Sequence, residues 1–309
     1  MYSTILEDKR HPYSKALNDY HECLVSSNTP HHTIENYCSY VHRFLLWVID
    51  NYGYTDMETA PHNIFWGYQS YLLEAGLKGN SVNQNFCAVK SFLEAACGRV
   101  ISSKAVRTVK YDKYRGPVPT SQEVVVMLNS ADNPRTFMAI AIMASCGLRV
   151  SELVELRYSD IRRDRKTLYV HPSKNHMDRE VPLPEELLSH LADYCRHFTK
   201  MPRKDDFIFP GRSPGKPVTT ATIENDMSKL MESLKWKDRG YTCHALRRYF
   251  GCKYYLSNFG DTNSLAAIMG HQSLSSTFVY VQLAAAFRAV ESEIKGIHDT
   301  LHQAVPSWK

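Results

Sequence analysis

The side chains able to do chemistry fall in five short stretches of the second half of the chain. In Cys146-Gly147-Leu148-Arg149-Val150-Ser151-Glu152, an arginine follows an apolar run and a carboxylate stands three residues later. Taken alone, that spacing serves a buried ion pair as well as an anion site. Lys174 lies in Pro172-Ser173-Lys174-Asn175, between two short strand-like runs. His244 and Arg247 stand three apart, on one face of a helix that Thr242 can cap. The N-terminus of such a helix itself favours anions. His271 follows Gly270, a residue suited to ending a helix, and Tyr280 stands nine residues beyond.

Each stretch by itself is ordinary: a hairpin lysine is usually solvated, and one of 19 tyrosines is usually packing. The set is not ordinary. Two arginines, two histidines, a lysine and a tyrosine are the parts of phosphoryl transfer without a metal. Guanidinium forks grip two oxygens at once and stay charged. A lysine ammonium can protonate a departing alkoxide. A phenol, with a pKa of about 10, attacks only when its proton is accepted elsewhere.

The elements that must position these groups are mostly helical. Ile34, Tyr37, Val41, Leu45, Val48 and Tyr52 step by three and four, predicting a helix over Thr33–Tyr52. Further helices are expected over Asn63–Ala75, stopped by Gly76, and over Ser81–Ala96. The outer face of the last carries Asn83, Gln84 and Lys90, which could read bases or simply be wet. Gly116-Pro117-Val118-Pro119 breaks any helix and marks a domain boundary. Thr120 to Glu123 is a capping-box pattern, and Asn133-Pro134 opens a helix that Gly147 ends. Thr167–Val170 and Arg179–Leu183 predict a small hairpin. The class is mainly α with a small β-sheet, in two domains, 1–103 and 120–309, joined by a linker over 104–119.

Composition excludes several alternatives. Apolar residues make up 43% of the 309 and charged ones 22%, as in a soluble globular protein. The longest apolar run, Phe137 to Ala144, is too short to cross a bilayer. The opening residues, with acids and bases mixed, do not read as a secretory signal. Eight cysteines without a C-x-x-C pair suit free thiols in a reducing cytosol, so a cytoplasmic location is expected. The net charge is +5, unevenly spread: residues 1–103 carry −3, whereas the strap 104–115 alone carries +4. Its bases Lys104, Arg107, Lys110, Lys113 and Arg115 fit a phosphate-binding linker, or equally one kept soluble by charge.

The order and spacing of GLRVSEL, the hairpin lysine, HALRRYF and IMGHQSLSSTFVY closely resemble the tyrosine recombinase (phage integrase) family. The resemblance spans about residues 117–283, and the helical first 103 residues are compatible with the family's core-binding domain. It implies an α+β catalytic domain that breaks and rejoins DNA through a covalent 3′-phosphotyrosine, leaving a 5′-hydroxyl. By position, Tyr280 would be the nucleophile, and Arg149 and Arg247 would clamp the scissile phosphate. Lys174 would protonate the leaving oxygen, with Lys166 as its rival before the first strand. His244 would be a general acid/base, His271 a hydrogen-bond donor to phosphate, and Glu152 a support behind them. The phosphodiester energy is conserved, so no cofactor, neither metal nor ATP, is expected.

The partners so implied are double-stranded DNA with a specific site and further copies of the chain, four on two sites, with no membrane. Against an acidic first domain, the DNA face is expected to gather Lys78, Lys90 and Arg99 on one side. Leu283, Phe287, Val290, Ile294, Ile297 and Leu301 continue a three/four stripe beyond Tyr280. Packing on its own domain is the plain reading; the resemblance favours docking into a neighbouring subunit. A type IB topoisomerase, a non-catalytic DNA-binding regulator and a purely structural helical protein are the rivals, the last explaining none of the five stretches.

Overall fold

The computed structural model describes residues 12–102, 106–111, 116–171, 178–197, 202–271, 273–290 and 297–304. The chain divides into two compact units, Met1–Lys113 and Tyr114–Lys309.

The first unit packs four helices: α1 (Ser14–Ser26), α2 (His31–Tyr52), α3 (His62–Glu74) and α4 (Gly79–Cys97). The expected stripe of α2 is buried at Ile34, Val41, Leu45 and Val48, while Tyr52 stays exposed. Val82, Phe86, Val89 and Leu93 form the inner face of α4, as their spacing requires. Helix α1 was not singled out by its sequence; only Leu17, Tyr20 and Leu24 among its residues are buried.

The two units divide between Lys113 and Tyr114, inside the stretch 104–119 read as a linker, and the described part of the strap packs on the first unit. Asn83 spends its carboxamide on Val109, donating to the carbonyl at 2.9 Å and accepting from the amide at 2.8 Å. Lys90 donates to the carbonyl of Val106 at 3.3 Å, and Gln69 to that of Arg107 at 2.9 Å. In the single chain Asn83 thus clips the strap, a use of its carboxamide that neither a base-reading nor a merely wet face anticipates. Gln84, Arg107 and Lys110 remain exposed. Lys104, Lys113 and Arg115 lie outside the described residues.

In the second unit, Thr120 and Glu123 form the anticipated capping box at the start of α5 (Ser121–Asn129). Asn133 caps α6 (Pro134–Cys146) by accepting from the Thr136 amide at 2.9 Å. Every residue of α6 from Thr136 to Cys146 is buried, so this helix is the axis of the core. Around it pack α5, α7 (Val150–Val154), α8 (Glu185–Cys195), α9 (Thr220–Ser233), α10 (Cys243–Ser257) and α13 (Ile297–His302). The sheet is antiparallel, in the order β1 (Ile161–Arg162), β2 (Thr167–Val170), β3 (Arg179–Pro182), with Leu168 opposite Val181 and Val170 opposite Arg179. Helices α11 (Thr262–Met269) and α12 (Leu274–Val290) complete the unit. No helix among the described residues is long and apolar enough to cross a membrane.

The C-terminal stripe packs at home where it is described. Phe287 and Leu301 lie in the core of the second unit, 2% and 1% exposed. Helix α13 rests on α5, α6, α8 and α10. The Tyr249 hydroxyl meets the Thr300 hydroxyl at 2.8 Å. The expected docking into a neighbour is thus not the arrangement of the single chain; the side chains of Val290, Ile294 and Ile297 lie outside the described residues.

Candidate active site

Arg149 stands at the start of α7, directly after the turn in which Gly147 ends α6. Glu152, one helical turn on, is within reach by construction. Its carboxylate accepts from the Arg149 guanidinium at 2.7 Å and from the Arg149 amide at 2.8 Å. Both oxygens also accept the fork of Arg179, at 2.9 and 2.8 Å. Burial alone would raise the Glu152 pKa. The hydrogen bonds and charge of Arg179, the Arg149 amide and the charge of Arg247 outweigh it and bring the pKa down to about 2. Glu152 is a carboxylate at every working pH.

Arg179 is the site residue that sequence reading missed. At the head of a strand, followed by Glu180, it reads as a solvated charge; yet its side chain is only 7% exposed.

Arg247 lies on the second turn of α10 and is 1% exposed. Its guanidinium donates to the carbonyls of Gly147 and Met269, both at 2.6 Å, and to Nε2 of His271 at 3.3 Å. Burial lowers its pKa to about 10, which leaves it cationic at neutral pH. An arginine N–H can only donate, so Nε2 of His271 accepts and the ring proton sits on Nδ1. That nitrogen meets the Thr277 hydroxyl at 2.8 Å. In this arrangement His271 is turned to Arg247 and Thr277, so the expected donation to phosphate requires either Nδ1–H to leave Thr277 or Nε2 to leave Arg247 and gain a proton.

Tyr280, on the second turn of α12, is 4% exposed and stacks on His271 with centroids 5.6 Å apart and planes 19° apart. Its ring lies so close to α10 that a Cβ on Gly251 would stand 2.3 Å from Cδ1. A side chain at position 251 would therefore displace the phenol.

His244, on the first turn of α10, is exposed along part of its surface. Its pKa falls to about 4: partial withdrawal from water is the largest cause, followed by the charges of Arg248, Arg247 and Arg149. It is neutral at pH 7. Arg248 is occupied structurally, donating from Nε to the Pro117 carbonyl at 3.0 Å. A cleft of about 740 Å³ opens beside Arg149 and His244, walled by Leu148, Val150, Met227 and Met231.

The fold thus brings Arg149, Glu152, Arg247, His271 and Tyr280 into one chain of contacts, with His244 in the field of the same cations. Lys174 lies outside the described residues; its flanking strands β2 and β3 are described. The arrangement supplies paired guanidiniums for a tetrahedral anion, a buried phenol and a neutral imidazole.

Comparison with known proteins places the second unit in a family. The model of the phage integrase family matches residues 119–286. Tyrosine recombinase XerA of Pyrococcus furiosus is 24% identical over 278 residues, covering 88% of this chain and 91% of XerA. Tyrosine recombinase XerC of Caldanaerobacter subterraneus subsp. tengcongensis is 27% identical over 191 residues, covering 60% of this chain and 53% of XerC. The fold is shared with a lambda integrase (residues 75–356) dimer bound to a COC′ core site, at TM-score 0.67 and 18% identity, over 90% of this chain and 97% of that one. With the family model spanning more than half the chain and the site assembled within it, the protein belongs to the phage integrase family and is a tyrosine recombinase enzyme.

Proposed function

We propose that the chain recombines double-stranded DNA at a specific site by transesterification through Tyr280. The observation that carries this reading is the unbroken series Tyr280–His271–Arg247, with Glu152 joining Arg247 to Arg149. The phenolic oxygen attacks the scissile phosphorus, a 3′-phosphotyrosine forms, and the 5′-oxygen leaves. Arg149 and Arg247 hold the non-bridging oxygens and stabilise the charge that grows on them. A phosphate dianion-like centre cancels the guanidinium field at His244. That raises the imidazole's proton affinity at the moment a proton leaves the phenol. Lys174 is assigned the proton for the 5′-oxygen. Reversal with another strand's 5′-hydroxyl rejoins the DNA without metal or ATP. A complete exchange uses four protomers on two sites, and sharing α13 between them requires Leu301 to leave its own core.

The test is a pool of nicked suicide duplexes randomised in sequence, incubated with the full chain and run on a denaturing gel. A covalent protein–DNA band supports the reading, and its absence at every concentration overturns it. Relaxation of supercoiled plasmid lacking any selected sequence would instead indicate topoisomerase activity.

Two further results are expected on a duplex selected from that pool. Because His244 is neutral in the free enzyme, the rate at subsaturating DNA should fall only as pH drops through about 4. It should stay flat within about twofold from about pH 5.5 to 7.5; an acid limb near 6.5 would contradict the assignment. Gly251→Ala places its methyl 2.3 Å from the Tyr280 ring. Moving the phenol off line should slow adduct formation about 10²-fold, beyond any change in the melting temperature.

A further inference from the structure

We infer that Arg179 is a positioning residue for the phosphate clamp, holding two acceptor positions of Glu152 so that Arg247 stays off the carboxylate and available to the substrate. This rests on the phosphotyrosine reading and adds to it. A carboxylate has about four lone-pair positions. On Glu152 all four are taken: two by the Arg179 fork, one by the Arg149 guanidinium and one by the Arg149 amide. Arg247 stands off at 3.7 Å, too far for a hydrogen bond. It is instead fixed by the carbonyls of Gly147 and Met269.

Without Arg179, two acceptor positions on a fully buried carboxylate would be empty. The nearest donors are the two clamp arginines, and an unpaired buried carboxylate draws them in because leaving it bare is costly. Arg247 would then exchange its carbonyl partners for Glu152, and the field facing the phosphate would weaken. Arg179 also fixes the other side of the site. Its Nε donates to the Ile268 carbonyl at 2.7 Å, on the last turn of α11 before His271. Gly270, at φ +62°, passes so close that a Cβ there would stand 2.9 Å from Nη1 of Arg179. Since Arg179 pairs across the sheet with Val170, one side chain ties β3 to both the start of α7 and the end of α11.

The experiment measures single-turnover adduct formation on the selected suicide duplex, with the wild-type chain, Arg179→Met, Glu152→Gln and the double variant. Arg179→Met is expected to lower the saturated rate about 50-fold, with the half-saturating DNA concentration changed less than about threefold. Glu152→Gln removes the charge that misdirects the clamp. The double variant should therefore recover to within about twofold of Glu152→Gln alone. A purely structural role would give multiplied losses instead. The double variant leaves no unpaired buried carboxylate, and a melting curve beside each rate separates a folding loss from a loss of clamp geometry, so the comparison stays informative even where Arg179→Met melts early. A full-rate Arg179→Met, or multiplied losses in the double variant, overturns the inference while leaving the wild-type adduct intact. A wild-type chain that forms no adduct overturns the phosphotyrosine reading and this inference with it.

Discussion

Replacing Arg247 by methionine is expected to slow covalent adduct formation by about 10³-fold, the usual cost of removing a preorganised donor from a developing oxyanion. The residue is 1% exposed and is held by two carbonyls at 2.6 Å, so its fork is set before any substrate arrives. Methionine fills similar space but leaves the Gly147 and Met269 carbonyls unpaired, at about 1–3 kcal/mol each. Glu152 remains neutralised by Arg179. Part of the stability is lost, and the variant should melt several degrees lower. Arg247→Lys keeps a point charge without the fork, and it should stay at least about 10²-fold slow because bidentate contact is lost. Rapid-quench single-turnover kinetics on the selected duplex, beside a melting curve, separates the two effects. An Arg247→Met protein within about tenfold of the wild-type rate would contradict the clamp.

The helices were legible where local chemistry decides them. Thr120 with Glu123 and Asn133 with Pro134 are caps written in a few residues, and both form as expected. The stripes of α2 and α4 are buried on the faces their spacing requires. Arg149, Glu152, Arg247, His271 and Tyr280 converge, because motif order constrained them jointly where no single motif could. What escaped the sequence is non-local. Arg179 reaches a carboxylate 27 residues earlier, and a strand pattern shows only which face a side chain takes. Asn83 occupies the polar face of α4, but its partner is the backbone of Val109, 26 residues on. Periodicity said the same of a base reader and of a clip. The C-terminal stripe likewise shows that Leu301 is covered without saying by what. In the single chain the answer comes from a pocket between α5, α6, α8 and α10, and from the Thr300 hydroxyl meeting Tyr249. Position 14–26 was missed because three buried side chains in a polar helix leave too faint a stripe.

Tyr280→Phe is expected to abolish the adduct altogether, the largest single effect the site allows. The ring contacts survive, since Phe keeps the stack on His271 and the packing on Gly251. Only the phenolic oxygen is gone, so DNA binding and the melting temperature should hold. This separates chemistry from folding more cleanly than any arginine variant. The decisive measurement is mass spectrometry of the protease-digested adduct from the wild-type chain. A nucleotide joined through a 3′-phosphate to the peptide containing Tyr280, and no adduct from Tyr280→Phe, is the outcome this structure predicts. A nucleotide on any other residue, or an undiminished adduct from Tyr280→Phe, would contradict it.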